Sequence, residues 1–80
     1  NYPNPFNPST TIEFATTRRG PVQLKVYDLL GAEVTTIVDR NIDAGHHSIS
    51  FNASDLRSGV YVYRLETEGK TFSRRMVVMK

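Results

Sequence analysis

From Thr10 onward apolar residues recur at every second position in several short runs, and no stretch holds a 3.6-residue period for longer than one turn. Alternation of this kind puts successive side chains on opposite faces of an extended strand and argues against a helical fold. Val22, Leu24 and Val26 alternate with Gln23, Lys25 and Tyr27, so the first set faces a core. Ile12 and Phe14 alternate with Thr11 and Glu13 in a first strand predicted over Thr10 to Phe14. In a strand over His46 to Phe51, His47, Ile49 and Phe51 share the inward parity. Tyr61, Tyr63 and Leu65 fall on one face of a later strand, and Val60, Val62 and Arg64 on the other. In the closing run Phe72, Met76 and Val78 share a parity that Arg74 interrupts. The register of that last strand is open at this point, because a slip of one residue exchanges its two faces.

Turn-forming residues punctuate these runs. Thr16 to Pro21 reads as a turn with Arg18 and Arg19 at its tip, either a solvated loop or a basic contact for an acidic partner. At Asp28-Leu29-Leu30-Gly31 the aspartate can accept from backbone donors two residues on, and glycine can take a positive φ. Ala32 to Val38 is the next predicted strand; Val34, Ile37 and Val38 break strict alternation, which predicts a bulge near Thr35-Thr36. Asp39 to Gly45 reads as a polar connection with Ile42 tucked in. In the loop from Asn52 to Gly59, Asn52 or Ser54 is placed to cap a short helical turn over Asp55-Leu56-Arg57, with Leu56 plugging the core. Glu68-Gly69-Lys70 separates the last two runs, which form a hairpin. Six or seven short strands follow, and the expected fold is an all-β, immunoglobulin-like antiparallel sandwich, with a small barrel as the alternative closure.

The opening N-Y-P-N-P-F-N-P-S is different in kind. Pro3, Pro5 and Pro8 lack backbone donors and push Tyr2, Asn4 and Asn7 toward extended conformations. Residues 1–9 are therefore predicted as a stiff extended lead-in and residues 10–80 as the sandwich. Phe6 is expected to clamp the edge of the domain; a polyproline-type ligand is the other reading. The chain starts inside this proline-rich stretch with no signal-peptide pattern, which predicts a module excised from a longer parent whose export signal lies upstream.

Composition narrows the chemistry. Eighty residues make one domain with a narrow balance between burial and ordering entropy. There is no cysteine, hence no disulfide and no thiolate. Ten basic against eight acidic residues leave a net charge of +2, too small for the basic stripe of a nucleic-acid binder. No apolar run approaches the ~20 residues that span a bilayer. His46 and His47 beside Asp43 look like part of a metal site, but adjacent strand residues face opposite ways and zinc needs three or four ligands. Asp39, Asn41 and Asp43 alternate without the further oxygens a calcium site requires. No serine elbow, carboxylate pair or phosphate-cradling glycine loop is present, so neither catalysis nor a cofactor is expected. Tyr2, Phe6, Tyr27, Tyr61 and Tyr63 leave open a sugar-stacking surface beside their role as core or edge cover.

Several stretches together carry a resemblance. Asn1 to Ile12 contains N-P-F-N-P-S-T-T-I; Val26 to Gly31 reads V-Y-D-L-L-G; Ala44-Gly45-His46 forms a turn; Leu56 precedes Ser58-Gly59-Val60-Tyr61; and Gly69 leads to the basic, apolar tail Arg75 to Lys80. In this order they resemble the type A C-terminal sorting domains of the type IX secretion system, over nearly the whole chain. Phe51 stands where that family often carries tryptophan. The resemblance implies that Asn4, Pro5, Phe6, Asn7, Pro8, Asp28, Gly31, Gly45, Gly59, Tyr61 and Gly69 are structural motif positions. It further implies a non-catalytic address label on an exported cargo, carried through the periplasm to the cell surface or the medium. The outer-membrane translocon would read the label, and a sortase-like peptidase would remove it near its N-terminal boundary. The basic residues of the last strand, Arg74, Arg75 and Lys80, are the expected partner contacts, on a module expected to be monomeric. The immunoglobulin-like domain of flagellar hook-capping proteins shares much of the pattern, so the alternative is a structural or enzyme-appended accessory module, including a sugar-binding one.

Overall fold

The computed structural model describes residues 9–79. They form six strands: β1 (Ser9–Thr16), β2 (Gly20–Asp28), β3 (Glu33–Ile42), β4 (Gly45–Asn52), β5 (Gly59–Thr67) and β6 (Lys70–Val78). All pairings are antiparallel. β1 pairs with β4 in one sheet, and the other runs in the order β3-β2-β5-β6. Two separate sheets and no helix among the described residues match the immunoglobulin-like sandwich and not the barrel.

The core lies where alternation places it. Leu24 and Val26 have no exposed surface and Val22 has 1%, on a strand flanked by β3 and β5. Burying each such side chain contributes about 1.5–3 kcal/mol, so β2 is the main source of cohesion. One cluster gathers Ile12, Val22, Leu24, Val38, Ile42 and Leu65, with Phe14 and Ile49 packed against it. The second holds Val26, Ala53, Tyr61 and Val78, with Phe51, Leu56 and Met76 alongside. Phe51 thus occupies its expected inward position.

The strands are longer than the alternation alone indicates. β3 runs on through Asp39 to Ile42, where a polar connection was predicted, and only Asp43-Ala44 separates it from β4. The cause is pairing: Asp39, Arg40, Asn41 and Ile42 face Gln23, Val22, Pro21 and Gly20 on β2, and the ladder holds polar residues whose side chains point to solvent. The register skips Ile37 between Leu24 and Lys25, and Val34 between Val26 and Tyr27. Two bulges therefore bracket Thr35-Thr36, the site of the predicted irregularity. They let Ile37 pack against both core clusters while Val38 stays buried.

The predicted helical turn after Asn52 is not helical. Asn52 Oδ1 accepts from the Ser54 amide at 2.9 Å, and Ala53 O accepts from the Leu56 amide at 3.0 Å. This closes a single turn that sets Leu56 half-buried at the end of the second cluster. Asp28 behaves as its residue type predicts, its Oδ1 accepting from the amides of Leu30 at 2.9 Å and Ala32 at 3.0 Å. Gly31 closes that turn at φ +87°, a conformation that side chains disfavour.

Candidate interaction surface

The β5–β6 hairpin turns on Glu68 (φ +53°) and Gly69 (φ +73°). Two consecutive positive φ values make the tight primed turn whose twist suits a hairpin. Glutamate in the left-handed region costs roughly 1–2 kcal/mol. A clasp offsets that cost: Glu68 Oε1 accepts from the Thr17 amide at 3.2 Å and Oε2 from the Thr17 hydroxyl. The hydroxyl bond and then the amide bond hold the Glu68 carboxyl below its ordinary pKa, with Arg18 and Lys70 nearby adding to the effect. The link between β1 and β2 is thereby tied to the last hairpin, a contact without a local sequence signal since the partners lie 51 residues apart.

β6 is an edge strand, and its register is now defined. Phe72 faces Leu65, Arg74 faces Tyr63, and Met76 faces Tyr61. Opposed residues of an antiparallel pair share a face. Arg74 therefore points to the inner side of the sheet with Phe72 and Met76, and the break in parity is a charge in an otherwise apolar row rather than a slip. Arg75 faces Val62 and lies on the outer side. The two arginines expected to act together are thus split between faces. Lys80 and the motif residues Asn4, Pro5, Phe6, Asn7 and Pro8 lie outside the described residues, as does the expected clamp by Phe6.

The inner side of β6 is incompletely covered. Leu65 is 6% exposed, yet its neighbour Phe72 is 54% exposed. A groove of about 840 Å³ runs between β1 and β6, lined by Ile12 and Phe14, floored by Tyr63 and Leu65, and bounded by Phe72 and Arg74. It continues past Thr11, Tyr63 and Arg74 toward Met76 and Val78. On the outer face the Arg64 guanidinium stacks 4.6 Å from the centre of the Tyr27 ring. Lys25 Nζ lies 3.4 Å from Glu33 Oε1, and that hydrogen bond and charge raise the Lys25 pKa above its ordinary value.

Tyr61, 9% exposed, donates its hydroxyl to the Arg57 carbonyl at 2.8 Å and pins the entry to β5 next to Gly59. Gly45 (φ +127°) opens β4. Asp43 is the hub of the β3–β4 turn: its carbonyl accepts from the Thr16 hydroxyl at 3.1 Å and lies 2.6 Å from His47 Nε2, while its carboxylate pairs with Arg19. The His47 ring also packs on Phe14 at 5.4 Å, and His46 is exposed. The two histidines do not converge, and among the described residues no three His, Cys, Asp or Glu side chains are grouped to hold a metal ion.

A sequence profile described as the secretion system C-terminal sorting domain matches residues 1–79. The chain belongs to that family. No curated protein and no solved structure matches it. As a type IX sorting domain it is a C-terminal sorting signal, and the route it specifies leads through the periplasm to the cell surface or the medium. Sorting domains are carried by larger cargo proteins, and the family is in general non-catalytic. In this sorting domain no helix among the described residues is long and apolar enough to cross a membrane.

Proposed function

We propose that the outer-membrane type IX translocon recognises this sorting domain through its last strand, and that the domain has no catalytic activity of its own. In this reading the proline-rich lead-in, expected over residues 1–9, links the domain to the cargo, with Ser9 already taken into β1, and the sandwich that follows is a monomeric recognition unit. A sortase-like peptidase separates the two near the N-terminal boundary. The observation that carries the reading is β6 itself. It is paired on one side only among the described residues, and it carries Arg74 and Arg75 on its two faces. An edge strand offers backbone groups to a partner chain, and flanking charges select an acidic partner over indiscriminate pairing. In sequence, Lys80 adds a further positive charge two residues after the end of β6.

The test is a signal-peptide-bearing reporter fused to this module in a type IX-competent host. Deleting residues 75–80, or the gentler pair Arg74→Glu and Arg75→Glu, should abolish or sharply reduce surface delivery. The double charge reversal should leave the melting temperature of the purified module unchanged. Undiminished delivery of a correctly folded double variant would end the proposal.

A further inference from the structure

The two sheets differ by two strands, and the difference is not shared evenly between the two sides of the sandwich. On one side β3 passes into β4 through Asp43-Ala44 alone, so those edges are held together by the chain. Thr16, Arg19 and His47 all bind Asp43 and reinforce that corner. At the end where β1 passes to β2, Thr17 and Glu68 form the clasp. On the opposite side β1 and β6 are not consecutive, and among the described residues each has one unpaired edge. The groove between them is the outcome. Strands in a sheet lie about 4.8 Å apart, so the smaller sheet falls short of the larger by two such spacings, ~10 Å in all.

The groove has the character of an unfilled strand position. Its floor is the inner face of β5, where Tyr63 is half-buried and Leu65 and Thr67 are buried. Its far wall is the inner face of β6, where Phe72 is 54% exposed. The guanidinium of Arg74 is the one cation carried on that inner face between Phe72 and Met76. A charge pointing inward on an edge strand repels plain apolar strands. It also defines which strand is admitted, namely one bringing a carboxylate to the same place.

We infer that the seam between β1 and β6 is a docking site for an unpaired, extended segment of another protein, which adds along residues 11–15 to the edge of β1 that no described strand pairs, as a third strand of the smaller sheet. Apolar side chains at alternate positions of that segment cover Tyr63 and Phe72, and an Asp or Glu pairs with Arg74. A second copy of the folded domain is disfavoured by charge, because its own uncovered edge strand, β6, brings Arg74 and Arg75, and not a carboxylate, to Arg74. The inference rests on the sorting reading and deepens it by naming the class of partner and by adding a backbone contact on β1 to the one argued for β6.

The probe is a capped seven-residue peptide with valine at positions 2 and 6 and aspartate at position 4, all on one face of a strand, titrated into the isotope-labelled module and followed by amide NMR and hydrogen exchange. Amide shifts should saturate at millimolar peptide or below and concentrate in residues 11–15 and 71–76. Every second amide of β1 should gain protection. Arg74→Glu should weaken the aspartate peptide about tenfold, the scale of one lost charge-assisted hydrogen bond. The same change should favour a lysine version of the peptide, while Arg40→Glu, on β3, leaves both unchanged. No saturable shift with the wild-type module, protection gained on β6 or β3 in place of β1, or indifference to the charge at position 74 would overturn the inference. Failure of the reporter to reach the surface with peptide binding intact would instead sink the sorting reading and leave the seam standing.

Discussion

Removing the Tyr61 hydroxyl tests the joint on which the second core cluster depends. The Tyr61 ring lies among Val26, Ala53 and Val78, and its hydroxyl reaches back four residues to the Arg57 carbonyl at 2.8 Å. Tyr61→Phe keeps the ring and deletes the donor. The net loss for such a bond is about 0.5–1.5 kcal/mol, and the exposed Arg57 lets water recover part of the stranded carbonyl, so about 1 kcal/mol is expected. In a domain of this size 1 kcal/mol lowers the melting temperature by about 4–8 °C. Tyr63→Phe is the matched control: the same atom is removed from a half-buried ring, and the expected change is within about 0.5 kcal/mol. Thermal unfolding followed by circular dichroism at neutral pH compares the two. Equal melting temperatures for Tyr61→Phe and Tyr63→Phe would show that packing alone holds the 57–61 corner and that the hydroxyl contributes nothing there.

Three further changes probe other parts of the frame. Leu24→Ala, at a position with no exposed surface, should cost about 2–5 kcal/mol and lower the urea midpoint steeply or prevent folding. Gly31→Ala meets no neighbouring atom within 4 Å yet sits at φ +87°, so its cost of about 1–2 kcal/mol is backbone strain alone. A synthetic chain with D-alanine at position 31 should melt like the wild type. Because the Glu68 pKa is depressed on folding, the stability it contributes is present above the ordinary glutamate range and is lost as pH falls through the lower folded value. Glu68→Gln should therefore flatten the acid side of the melting-temperature profile, and an unaltered acid limb would mean that the Thr17 clasp does not form in solution.

Which residues face inward was largely legible in the sequence. Which inward faces are covered was not. Period-two alternation located Val22, Leu24, Val26, Tyr61 and Leu65 correctly, because side-chain direction in a strand is a local property. The Asp28–Gly31 turn was legible for the same reason, since an aspartate and a glycine carry their turn chemistry with them. Coverage depends on pairing between distant segments. β1 joins β4 and leaves β6 at an edge, and no residue of β1 announces that choice. Phe72 shares its parity with Val78, yet Val78 is buried and Phe72 is 54% exposed, and the Thr17–Glu68 clasp and the groove beside β1 could not be read at all. The extension of β3 to Ile42 was hidden in another way, because Asp39, Arg40 and Asn41 are strand residues through their backbone while their side chains are solvated.

Arg74 shows how an uncovered edge is kept from becoming a liability. A row of Phe72, an apolar residue at 74, Met76 and Val78 would be a flat apolar edge open to other copies of the chain. The guanidinium interrupts that row opposite Tyr63. Arg74→Val should thus have two opposed effects. The new aromatic–β-branched pair across the hairpin should stabilise the monomer by about 0.2–1 kcal/mol. The restored apolar row should promote self-association, seen as a concentration-dependent rise in mass by light scattering. Arg75→Val, on the outer face, should do so far less. A monomeric Arg74→Val module at concentrations where wild type is also monomeric would show that something other than the inward charge guards this edge. The selectivity argued for the seam would then lose its physical basis, since a charge that does not repel unsuitable strands does not choose among them.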